Sequence, residues 1–99
     1  MPKFKLIATL FHQGQDLVQE TADRRKLIEN LDSTDIKPVD LQGDRAADKQ
    51  GYVYEVGYEL GALTQAELDQ MGQDIVKNNV EVAIQGSGFS FQGFKINPV

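Results

Sequence analysis

The chain contains no cysteine and a single histidine. Without cysteine there is no disulfide, no thiol nucleophile and no thiolate metal site. That absence fits a reducing compartment. No apolar run approaches the ~20 residues of a membrane span. The apolar stretch after Met1–Lys5 is shorter than a signal-peptide core and lacks a small-residue cleavage site, so the expected location is cytoplasmic. Basic residues are sparse: ten Lys and Arg stand against fifteen Asp and Glu, a net charge of −5, and only Arg24, Arg25 and Lys26 cluster. Phosphate contacts dominate nucleic-acid affinity, so no nucleic-acid partner is expected, and no membrane partner either. The acidity reads as a solubility charge.

What remains is ordinary for a globular protein, 40% hydrophobic and 25% charged. The expectation is one domain over residues 1–99, long enough to bury roughly 60–70% of its extended-chain surface.

The clearest pattern is Gly51–Leu60. Tyr52, Tyr54, Val56, Tyr58 and Leu60 alternate with Val53, Glu55, Gly57 and Glu59, which is a strand with one dry face and one wet face. Lys3–Phe11 alternates likewise, with Phe4, Leu6, Ala8 and Leu10 on the core side because the lysines prefer water. After Gln13-Gly14 two readings stand. In one, Asp16 caps a helix to about Leu31 with Gln19 completing a capping box. Arg24 on its inward stripe weakens that helix. In the other, Gly14 makes a hairpin turn, Asp16–Thr21 is a second strand and the helix starts near Ala22; the tight turn tips the reading this way. Both contain a helix over roughly 23–31.

Ile36–Leu41 reads as a short strand that Pro38 confines to an edge. Gln42–Gln50 reads as a polar loop or a single helical turn. Thr64 and Glu67 form a capping box, with Leu63 and Leu68 as a hydrophobic staple. Leu68, Met71, Gly72, Ile75 and Val76 make the buried stripe of the helix that follows. Asn78-Asn79 reads as its stop. Val80, Val82 and Ile84 then alternate as another strand. Gly86-Ser87-Gly88 turns the chain, and the opposite parities of Phe89/Phe91 and Phe94/Ile96 require a β-bulge at Gly93. The sum is an α+β fold: an antiparallel sheet of four to five strands with two helices on one face, resembling the ferredoxin-like plait or a close variant. That is a likeness of fold and implies no function.

Chemistry-bearing patterns are few. His12 lies in no nucleophile motif, with Asp16 its only acid close in sequence and Ser33, Ser87 and Ser90 in no recognisable setting. It reads as a partly exposed turn residue. Asp32, Asp35, Asp40, Asp44 and Asp48 lack the spacing of a calcium loop. Gly86–Gly93 has Phe91 where a dinucleotide fingerprint needs glycine. No catalytic residue, metal or cofactor is assigned. Tyr52, Tyr54 and Tyr58 share the dry face and could, with Gly72 and His12, line a small pocket between the sheet and the second helix. The reading that follows is a small non-catalytic interaction or regulatory module with a protein partner. A small-ligand binder or enzyme using His12 and the tyrosines is the alternative. The wet sheet face is too charged for an extensive hydrophobic interface, so the expected state is a monomer or a weak dimer joined at a sheet edge.

Overall fold

The computed structural model describes residues 3–14, 17–45, 51–61 and 64–99. Strand β1 (Lys3–His12) is followed by helix α1 (Leu17–Asp32), β2 (Asp40–Arg45), β3 (Tyr52–Gly61) and helix α2 (Gln65–Ile75). A π-helical turn, Val76–Val80, carries α2 into a short helix α3 (Glu81–Ile84), and β4 (Ser90–Pro98) comes last. The four strands lie in the order β2-β3-β1-β4 and every pairing is antiparallel. The helices cover one face. This is the α+β, ferredoxin-like plait.

Alternation decides which face is covered. Leu6, Ala8 and Leu10 of β1 are fully buried, as are Val56 and Tyr58 of β3. Register places them side by side, Leu6 against Tyr58, Ala8 against Val56 and Leu10 against Tyr54. Leu27 and Leu31 of α1, and Leu68, Ile75, Val76, Val80 and Ala83 of the second helical segment, close the core from above. The other face carries Lys3, Lys5, Thr9, Glu55 and Glu59, with Lys5 Nζ 2.9 Å from Asp40 Oδ2 and Lys3 Nζ 3.8 Å from Glu59.

Several local expectations hold. Thr64 Oγ1 accepts from the Glu67 backbone N–H at 3.1 Å, and the Glu67 carboxylate accepts from the Thr64 N–H at 3.0 Å. Leu63, the other half of the staple, lies outside the described residues, as does Asp16. The bulge is where parity required it: Thr9 pairs with Gly93 and Leu10 with Phe91, and Gly93 has φ 132°.

Other expectations are overturned. The segment from Leu17 to Thr21 is the first turn of α1 and not a strand. Its inward stripe begins with charge because the sheet beneath it is polar at that end. Val80–Gln85 is helical up to Ile84 and not a strand. The burial there has helical spacing: Val80 and Ala83 are fully buried while Val82 is 50% exposed. Asn79 does not stop the helix. It is buried, its Nδ2 donating to the Ile75 carbonyl at 3.2 Å and its Oδ1 accepting from the Ile36 N–H at 3.2 Å. Finally, the edge strand starts at Asp40, after Pro38 and not around it, because the ladder needs donors that proline lacks. Gln42–Arg45 therefore belongs to β2 and is no loop; residues 46–50 lie outside the described residues.

Candidate functional site

Helix α1 presents Glu20, Asp23, Arg24, Leu27, Ile28 and Leu31 on one stripe at i, i+3, i+4, i+7, i+8 and i+11. The second half of that stripe is apolar and packs into the core. The first half is charged and lies over the end of the sheet formed by the last residue of β1 and the first residues of β3. Glu20 is buried there, at 1% exposure.

His12 ends β1 and is buried too, its side chain 9% exposed. Its Nδ1 accepts from the Gly14 N–H at 2.9 Å, so the ring proton resides on Nε2. Nε2 stands 2.6 Å from Asp23 Oδ2 and donates to it. The second carboxylate oxygen, Oδ1, accepts from Gln19 Nε2 at 2.8 Å. The imidazole hydrogen bond, chiefly, holds the Asp23 carboxyl below the ordinary carboxylate value; burial opposes it and Gln19 adds to it. The pair is capped by Gly88 (φ 78°), where a Cβ would fall 3.0 Å from His12 Nε2 and closer still to the Asp23 carboxylate. Only glycine meets both demands, the positive φ and the close approach.

An aromatic chain runs away from this pair. The His12 ring is 5.1 Å from Phe89, Phe89 is edge-on to Tyr54 at 6.0 Å, and Tyr54 is 6.0 Å from Tyr52. Arg24 ends the chain, donating from Nη1 to the Tyr52 hydroxyl at 2.9 Å with its guanidinium 4.7 Å from the ring centre. Burial, and then the neighbouring Tyr52, push the Tyr54 hydroxyl up, against the pull of Arg24.

The structure thus brings together His12, Tyr52 and Tyr54 through Phe89. Tyr58 and Gly72 lie elsewhere. Tyr58 sits beside Leu6 in the middle of the sheet, fully buried, and burial pushes its hydroxyl up to about 12. Among the described residues its hydroxyl has no hydrogen-bond partner. The nearest atoms to a Cβ at Gly72 belong to β4 and β1: Ile96 at 2.8 Å, Phe94 at 3.2 Å and Leu6 at 3.4 Å. The space at Gly72 is filled. A cavity of about 410 Å³ adjoins His12 at the end of β1. Phe11, Gln13, Gly14, Gln19, Gly88 and Ser90 line it with the imidazole.

His12 is therefore buried and doubly bonded, and not an exposed turn residue. Its partner is Asp23, which sequence reasoning passed over. The available signal was the placement of Asp23 and Arg24 on the inward stripe, which reads as a defect of the helix until a polar sheet end is put beneath it. Of the aspartates considered for cations, Asp40 is engaged by Lys5 and Asp48 lies outside the described residues. Among the described residues no three His, Asp or Glu side chains are arranged to hold a metal. Among the described residues no helix is long and apolar enough to cross a membrane.

No family model matches the chain, and no curated protein matches it. Among solved structures it is similar to a dinuclear metal-binding peptidase of the M20 family from Bacillus subtilis, with a TM-score of 0.51 and 13% identity. The match covers 99% of this chain and 26% of that one, so this chain spans about a quarter of the peptidase. At that identity the likeness is one of fold alone.

Proposed function

We propose that this chain is a small non-catalytic interaction or regulatory module that works in the cytoplasm on a protein partner. The observation that carries the reading is the state of His12. A general base needs an imidazole nitrogen with a lone pair open to substrate. Here Nδ1 is spent on the Gly14 N–H and Nε2 on Asp23. The histidine ties the end of β1 to α1, and the aromatic chain beside it fills the polar end of the core. Among the described residues the fold presents a sheet face that no helix covers and two edge strands, which supports the reading.

The test is nitrogen-detected NMR of the His12 ring at neutral pH. The expected result is a single neutral tautomer protonated at Nε2, with a slowly exchanging ring proton. A ring that exchanges fast between tautomers, with Nδ1 open to solvent, would sink the reading.

One observation favours a second reading. A cavity of about 410 Å³ falls within the size range of small-ligand sites, and it presents two glutamines, a serine and a phenylalanine. A fragment screen that shifts resonances of Phe11, Gln13, Gln19 and Ser90 together would favour a small-ligand binder.

A further inference from the structure

The face of the sheet opposite the described helices is divided by charge along its strands. The β2–β3 half carries Asp40, Glu55 and Glu59; the β1–β4 half carries Lys3, Lys5 and Lys95. Register fixes the rows: Asp40 pairs with Gly57, Gly57 with Ile7, and Ile7 with Lys95, so these four residues span the sheet in line. In the next rows Glu59 pairs with Lys5 and Glu55 with Thr9, and towards the far end Val53 pairs with Phe11.

The geometry points to a two-fold, face-to-face dimer of this chain through that surface. It rests on the interaction-module reading and names the partner as a second copy. A two-fold axis running along the strands, between β3 and β1, lays β2 over β4 of the second copy and β3 over its β1. Each row then meets itself reversed. Asp40 faces Lys95 of the second copy, Glu59 faces its Lys5, Val53 faces its Phe11, and Ile7 faces its Gly57. An axis across the strands would instead put lysine strand on lysine strand. The face is self-complementary in one orientation only.

Within one copy the Lys5 stem lies across Gly57 on its way to Asp40: a Cβ on Gly57 would fall 2.9 Å from Lys5 Cε and 3.1 Å from Asp40 Cβ. In the dimer these two charges turn to the second copy, and the gap above Gly57 receives Ile7. Strands about 4.8 Å apart, with some eight residues each rising about 3.4 Å, give a face of about 500 Å² per copy. That is below the roughly 800 Å² per partner of a standard stable interface. The dimer is therefore weak, steered by charge, and formed on the sheet face rather than at the edge expected from the sequence.

Sedimentation equilibrium of the full chain tests it. Association is expected at low salt, weakening about tenfold or more when ionic strength rises from about 0.01 M to about 1 M and the screening length falls from about 30 Å to about 3 Å. Lys95→Glu and Asp40→Lys should each abolish it alone, with unfolding curves confirming that both variants fold. Mixed in equal amounts they should associate again, because each restores opposite charges to the other. A chain monomeric at low salt and millimolar concentration overturns the inference. So does association that survives both reversals but is lost with Ile96→Pro in β4, which would show an edge dimer. Either failure leaves the His12 tautomer, and with it the module reading, intact.

Discussion

His12 and Asp23 meet at 2.6 Å across 11 residues of sequence, the imidazole donating from Nε2 to Oδ2. The bond joins the end of β1 to the first half of α1, and Gly88 closes over it from the loop before β4. Three separate segments are thus pinned at one point.

This pinning should show in the pH dependence of stability. The carboxyl of Asp23 is lowered in the folded chain relative to its ordinary value of 3.8. A carboxyl with a depressed folded value stabilises the fold above its unfolded value, and the contribution is lost as pH falls through the folded one. Asp23→Asn should lower stability at pH 7 by about 1–3 kcal/mol, since it removes a charged partner of a buried hydrogen bond. The gap between wild type and variant should close as pH drops below about 4. Urea unfolding from pH 2 to pH 7 measures this, and a gap independent of pH would contradict it.

Thr64→Ala should cost about 0.5–2 kcal/mol by freeing the Glu67 N–H at the start of α2. Denaturant unfolding with an unchanged midpoint would show that the capping box contributes nothing.

Gly72 is tightest against β4, where Ile96 and Phe94 are its nearest neighbours. Gly72→Val should overpack Ile96 and Phe94 and destabilise by about 1–3 kcal/mol. Gly72→Ala should be nearly neutral: the helix gains up to about 1 kcal/mol from losing glycine, offset by displacement of the Ile96 end methyl. Combining Gly72→Val with Ile96→Val should recover part of the loss, and thermal unfolding of the three variants checks it.

Val82 and Ala83 distinguish helix from strand after Val80. Val82→Lys should change stability by no more than about 0.5 kcal/mol, because the side chain is half exposed. Ala83→Lys should cost several kcal/mol, on the order of 3 or more, because the methyl is fully buried. The reverse ranking in urea unfolding would restore the strand.

Period-two alternation determined β1 and β3 by itself, since a strand buried on one face leaves one assignment of parity. The same parity argument located the bulge at Gly93, and the T-x-x-E spacing located the start of α2. These features are legible because they depend on residues a few positions apart. What lay beyond the sequence were segments whose local signals are weak or tied. Val80–Gln85 alternates well enough for a strand, but the helix before it continues through a π turn, and Asn79 finds its partners in Ile75 and Ile36. Leu17–Thr21 looks too polar for a packed helix until β1 and β3 supply His12 and Tyr52 beneath it. The His12–Asp23 pair, the aromatic chain through Phe89 and the close approach at Gly72 are contacts between elements distant in sequence. Only the packing of α1 and α2 onto the sheet decides which side chains share that space.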